Sequence, residues 1–159
     1  MSMTLNMIHR SITISGNISF KRYNEESWSL EIEIRPDGVV PLLMEIALIE
    51  HDLAHLVTIQ SKKSSKYVVL SAADNPSHVQ YRDGRFHVSL SSNDMGLLAA
   101  YILQYYRDHC APVDHIDIEV EHGGSLGKDA VLVIRTAHFA KPMSADEAKK
   151  LLGIDKERN

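Results

Sequence analysis

Two histidines four residues apart stand out as side chains that could bind a metal ion. They are His51 and His55, with Asp52 between them. Apolar residues recur at helical spacing over residues 41–55, which predicts a helix there. Residues four apart share one helix face, so the two imidazoles could hold a zinc ion together. Asp52 could then act as the base that activates a zinc-bound water.

This segment resembles the His-Glu-x-x-His motif of zinc metalloproteases over about nine residues. The resemblance implies a small zinc-dependent hydrolase with His51 and His55 as ligands. The sequence departs from the motif at the base, because Asp52 is one methylene shorter than the family's Glu. No third ligand is identified at a family spacing. On the predicted helix both histidines lie away from the apolar stripe, so the alternative is two solvent-exposed side chains.

Two other patterns that suggest catalysis or phosphate binding are incomplete. The glycine-rich run 123–128 has three residues between its outer glycines, and Asp129 follows where a phosphate loop needs Ser or Thr. We expect this run to be a hairpin loop. Cys110 follows a predicted helix, whose dipole disfavours a thiolate at that end. His109 and His115 are near it in sequence, but a structural thiol is the better interpretation.

Acidic residues line one side of two predicted strands. They alternate with apolar residues over 28–34 and again over 115–122. The five carboxylates are Glu31, Glu33, Asp117, Glu119 and Glu121. If the two strands share a sheet, these side chains form one surface. A solvated sheet face is the alternative, since exposed strand faces are normally polar. Like charges on neighbouring strands cost stability, however, and an acidic surface attracts a basic partner.

Apolar periodicity and turn residues predict a single α+β domain over residues 1–159. We expect a mainly antiparallel sheet of about six to eight strands, packed by two or three helices. The predicted strands cover 12–20, 28–34, 56–60, 67–71, 79–81, 86–90, 115–122 and 130–137. The predicted helices are 41–55, one capped by Ser91, and a short one that closes at Gly153. An all-strand structure remains the alternative for 41–55. Residues 1–10 and 155–159 are expected to be flexible.

Composition and charge narrow the function classes. The chain is 44% hydrophobic with one cysteine, which suits a globular domain in a reducing compartment. No secretory signal and no apolar run of membrane-spanning length is present, so a cytoplasmic protein is expected. The net charge is −4 and basic residues are scattered. The densest group, Lys62, Lys63 and Lys66, has no interleaved aromatic residues, so we expect no nucleic-acid partner.

Four segments resemble the hairpin–helix–strand pattern of small bacterial immunity proteins. They are 81–85, 92–95, 105–109 and 115–119, within a resemblance of about 40 residues in all. The resemblance implies a cytoplasmic, non-enzymatic protein that neutralises a cognate toxin, and it carries over no site residues. We therefore expect a binding protein without a cofactor, whose acidic surface meets a basic toxin. The zinc-dependent hydrolase is the alternative, and the oligomeric state is left open.

Overall fold

The computed structural model describes residues 8–74, 76–109, 113–123, 126–137 and 145–153. The strands are β1 (His9–Ile14), β2 (Ile18–Arg22), β3 (Ser27–Ile34), β4 (Leu56–Ser61), β5 (Tyr67–Ala72), β6 (His78–Arg82), β7 (Arg85–Leu90), β8 (His115–Gly123) and β9 (Asp129–Thr136). The helices are α1 (Pro36–Glu50), α2 (Ser92–Asp108) and the short α3 (Ala145–Leu151). None of the described helices is long and apolar enough to cross a membrane.

The nine strands of the described residues form one sheet in the order β1-β4-β5-β7-β6-β8-β9-β3-β2. The α+β class is as predicted. The expected mainly antiparallel sheet of six to eight strands is wrong, because four antiparallel hairpins are joined to one another and to β1 by four parallel pairings. Hairpin signals are local in sequence. The parallel pairings join strands far apart in the chain, and strand periodicity does not encode them.

The two edge strands, β1 and β2, are separated by only three residues, 15–17. The Ser61 hydroxyl donates to the Gly16 carbonyl at 2.7 Å, and the Glu33 amide donates to the Asn17 carbonyl at 2.8 Å. The two edges of the sheet therefore meet at this three-residue connection, which we call the crossing, and the sheet curls on itself. A Cβ at Gly16 would lie 1.7 Å from the Glu33 carbonyl oxygen, so only glycine fits there.

Helix α1 begins and ends five residues before the predicted helix 41–55. Pro36, not Pro41, occupies the first helical position. Val39 is fully buried, so tertiary packing overrides the strand preference of its branched side chain. At the other end His51 is the C-cap, and Asp52 has a left-handed φ of 57°. The chain thus leaves the helix before it reaches His55.

Helix α2 matches its prediction closely. The Ser91 hydroxyl accepts the Asp94 amide at 3.2 Å and caps the helix. Its buried residues, Met95, Leu98, Tyr101, Ile102 and Tyr105, recur at helical spacing, whereas Leu97 is exposed. Burial raises the pKa of Tyr105 to about 12. Both long helices and the sheet enclose an apolar cavity of only about 20 Å³, so the core between these layers is closely packed.

Candidate functional site

Strand β9 lies between the two acidic strands β3 and β8. Val133 is paired with Glu31 on one side and with Asp117 on the other. Paired residues point to the same face of a sheet, and so do alternate residues of one strand. The five predicted carboxylates therefore share one face, in two rows that β9 separates. The acidic strands are not adjacent, yet their acidic residues do come together on a common surface.

The carboxylates of the β3 row are neutralised by arginines. Arg135, on β9, donates to Glu31 at 2.5 Å, and Arg35 donates to Glu33 at 2.9 Å. Burial opposes ionisation of Glu33, but hydrogen bonds from Arg35 and from the Asn17 amide outweigh it, and the pKa of Glu33 is lowered. Both carboxylates are already paired with arginines, so they offer little free charge to a partner.

Asp114 and His115 extend the paired region at the start of β8. The second guanidinium nitrogen of Arg135 lies 3.1 Å from Asp114, whose other oxygen lies 2.8 Å from His115 Nδ1. The pKa of Asp114 is lowered, mainly by the hydrogen bond from His115, with a further contribution from Arg135. The Nε2 atom of His115 lies 3.9 Å from Asp117, so charge pairing weakens along β8 from this point.

The rest of the β8 row carries free charge. Glu119 and Glu121 are exposed, and the described part of the chain offers neither of them an ion-pair partner. Glu121 is also paired across the strands with Asp129, so two carboxylates stand side by side. Such a pair is destabilising on its own. The unpaired carboxylates thus make the β8 row the strongly negative part of the surface.

Two open concavities run along the outer side of β9 and share Val131. One has a volume of about 620 Å³ and the other of about 320 Å³. The larger is lined by Pro76, Ser77, Ser91, Asp94, Glu119, Val120, Glu121, Lys128, Asp129, Ala130 and Val131. The smaller is lined by Tyr23, Ser29, Glu31, His115, Asp117, Val131, Val133 and Arg135. We call them together the groove. Its floor includes the half-buried Val131 and Val133, and its rim along β8 is acidic.

Ser77 is a buried residue of the groove that the sequence analysis missed. Its hydroxyl donates to an Asp94 carboxylate oxygen at 2.5 Å and accepts the Ser91 amide at 2.8 Å. Its carbonyl accepts the Glu121 amide at 2.9 Å. Ser77 therefore ties the start of α2 to the acidic strand β8. Within the described residues no histidine hydrogen-bonds this hydroxyl, so the arrangement fixes the groove's shape and lacks the base of a serine nucleophile.

The predicted zinc ligands do not share a helix face. His51 caps the end of α1, whereas His55 lies beyond it and its Nδ1 accepts the Ile8 amide at 2.8 Å. The helical i, i+4 geometry that motivated the metal site is therefore wrong. Among the described residues no group of three His, Cys, Asp or Glu side chains is arranged to hold a metal ion.

The remaining sequence candidates have simple outcomes. The run 123–128 connects β8 to β9, as the hairpin prediction required, although residues 124–125 are outside the described ranges. Cys110 also lies outside them, so the structure does not bear on its role.

In comparisons with known proteins, no family model and no curated protein sequence matches this chain.

Proposed function

We propose that this chain is a non-enzymatic, cytoplasmic binding protein that takes up a basic protein partner along the groove. An immunity protein that neutralises a basic toxin is the most concrete form of this role. The observation that carries the proposal is the exposed acidic row of β8 beside the valines of β9, in which Glu119 and Glu121 have no ion-pair partner among the described residues. Apolar floor and charged rim together are the usual composition of a protein-binding surface.

The distribution of charge supports recognition over chemistry. Glu31 is held by Arg135, which gives the β3 side of the groove a fixed hydrogen-bonded edge, and Arg35 holds Glu33 farther along the strand. The β8 side keeps its negative charge unpaired, where it can attract a basic partner and speed its association. Lysine or arginine side chains of a partner would relieve the repulsion between Glu121 and Asp129.

The test compares two charge-reversed variants in affinity capture from the native host. One is Glu119→Lys with Glu121→Lys in the groove. The matched control is Glu50→Lys with Asp74→Lys, both exposed positions outside the groove. We expect the wild type and the control to retain the same basic protein, and the groove variant to lose it. Equal capture by the groove variant would overturn the proposal.

The hydrolase alternative is separated by the metal content of the same purified protein. Near-stoichiometric zinc that disappears in His51→Ala would replace the binding proposal with a metal-dependent activity. We expect no such loss, because His51 and His55 do not lie on a common helix face.

A further inference from the structure

The basic residues, scattered in sequence, gather at one end of the sheet. The parallel pairings place all four hairpin turns at this end, which we call the turn end: residues 20–28, 62–67, 80–87 and 126–129. It holds eight of the 17 lysines and arginines but only four of the 21 acidic residues. The eight are Lys21, Arg22, Lys62, Lys63, Lys66, Arg82, Arg85 and Lys128. The turn end is therefore positive on a chain whose net charge is negative.

Aromatic rings from four strands meet near these cations. Phe20 on β2 and Tyr81 on β6 lie 5.6 and 4.8 Å from Phe86 on β7, measured between ring centroids. Trp28 packs against Phe86 from a third side, at 6.0 Å. Phe86 is buried, but Phe20 and Tyr81 remain 42% and 40% exposed. Curling of the sheet thus presents two partly open rings that flank a buried one.

Cations lie directly over rings at the turn end. The Lys66 ammonium is 5.8 Å from the centroid of Phe20, and the Arg85 guanidinium is 5.2 Å from that of Tyr67. Arg85 is also paired across the hairpin with Arg82, so two arginines project from the same face of the hairpin, opposite to Tyr81 and Phe86. Two like charges on neighbouring strands cost stability unless an anion lies between them. Lys66 therefore shares a surface with the exposed ring of Phe20, and the two arginines extend from the other face of the neighbouring hairpin.

Single-stranded nucleic acid has the chemistry that this surface complements. Its bases stack on aromatic side chains and its phosphates pair with lysine and arginine, without need for a particular sequence. We propose that the turn end binds single-stranded nucleic acid, with bases stacked on Phe20 and Tyr81. Lys66 contacts the phosphates beside the rings, and Arg82 and Arg85, on the other face of the hairpin end, contact phosphates farther along the nucleic-acid strand. None of these five residues lines the groove, although the turn end and the groove share Tyr23, Lys128 and Asp129. The proposal differs from the sequence-based expectation of no nucleic-acid partner.

The sequence did not indicate this surface, because the ring that lies beside Lys66 belongs to a different hairpin. Lys62, Lys63 and Lys66 have no aromatic residue interleaved with them in sequence. Closure of the sheet supplies one, because it brings Phe20 from the opposite edge hairpin under Lys66. A basic cluster without interleaved aromatics in the sequence thus gains an aromatic ring from another hairpin in the fold.

The test is fluorescence anisotropy of the full chain with a labelled oligothymidine of about 12 nucleotides at about 50 mM salt. We expect binding that weakens as salt rises. Tyr81→Leu, which keeps apolar contact with Phe86, should weaken it about tenfold through lost stacking. Arg82→Glu, at an exposed position, should weaken it at least as much. Thermal unfolding of each variant checks that the fold is intact.

Two controls decide between a nucleic-acid site and general attraction of anions. Arg107→Glu makes the same charge change on α2 and should leave affinity within about twofold of the wild type. An abasic oligonucleotide of the same length should bind about tenfold more weakly, because it cannot stack. The proposal is overturned if neither oligonucleotide binds, if the abasic one binds equally well, or if Arg107→Glu weakens binding as much as Arg82→Glu.

Discussion

The groove and the turn end belong to one sheet but differ in how their charges are assembled. The groove takes its carboxylates from alternate positions of two strands, so its acidic rows are visible in the sequence. The turn end takes its cations and rings from four separate hairpins, and only the parallel pairings between those hairpins bring them together. Alternation along a strand therefore predicts surface chemistry well, whereas chemistry assembled between hairpins requires the topology.

The two regions also differ in how far their charges are already satisfied. On the groove's face of the sheet, Arg135 and Arg35 neutralise the β3 row, whereas Glu119 and Glu121 of the β8 row have no ion-pair partner among the described residues. At the turn end, Lys66 and Arg85 lie over aromatic rings, which attract the cations but leave their net charge in place. Both regions thus offer charge to a partner, and the signs are opposite.

Both regions depend on the crossing at Gly16, so its substitution is expected to have the largest effect. Gly16→Ala would force a Cβ into the Glu33 carbonyl and should lower the free energy of unfolding by about 3 kcal/mol or more. Chemical denaturation measures the change. Gly96→Ala is the matched control: it has open space on an exposed helix position and should raise stability by about 1 kcal/mol. Equal effects of the two substitutions would contradict the conclusion that the two sheet edges meet in close contact at Gly16.

Ser77→Ala should disturb the groove and spare the turn end. It removes the hydroxyl that Asp94 and the Ser91 amide share, and should cost about 1–3 kcal/mol of unfolding free energy. Ser89→Ala is the control, because its hydroxyl bonds the Ser71 hydroxyl on a partly exposed face and should cost under about 0.5 kcal/mol. A Ser77→Ala protein as stable as Ser89→Ala would show that Ser77 does not anchor the groove.

His87 gives the turn-end side of the sheet a pH dependence. Its pKa is lowered from 6.5, first by burial and then by Arg82, so the folded protein favours the neutral imidazole. The unfolded chain then binds more protons as the pH falls through this range, and stability should decrease on acidification from about 7.5 to about 5.5. His87→Gln should flatten that decrease in thermal unfolding temperature. If the unfolding temperature of His87→Gln falls with pH as steeply as that of the wild type, His87 is not the group responsible for this pH dependence.

Arg135→Gln is expected to have the smallest effect and to sharpen the contrast within the groove. It frees Glu31 and Asp114 without adding a new charge, so a basic partner should associate about twofold faster at low salt. Stopped-flow association rates measure this, with Arg107→Gln as a control outside the groove. A slower rate for Arg135→Gln than for its control would mean that Arg135 itself contacts the partner.

Much of the fold could be predicted because its signals are local. The Asp83-Gly84 turn, with φ of 54° and 73°, and the Ser91 cap mark the boundaries of β6, β7 and α2 correctly. The start of α1 could not be predicted in this way, because Pro36 and Pro41 are both suited to the first helical position. Burial of Val39 in the core favours the start at Pro36. The His51–Asp52–His55 pattern failed for the same reason, since the helix ended before it.

The candidate site was predictable in composition but not in pairing. Sequence alternation placed Glu31, Glu33, Asp117, Glu119 and Glu121 on strand faces. It could not show that β9 lies between the strands, nor that its Arg135 neutralises Glu31. Ser77 carries no sequence signal at all, since a lone serine in a loop becomes an anchor only when α2 and β8 are brought together.

The most direct test of the central claim is the salt dependence of association between this chain and the basic partner it captures. We expect the wild-type association rate to fall steeply between about 50 and about 500 mM salt, because the free carboxylates of the β8 row steer the encounter. The Glu119→Lys, Glu121→Lys protein should associate slowly, with little or no such fall. Equal rates and equal salt dependence in the two proteins would contradict the assignment of the groove as the binding surface.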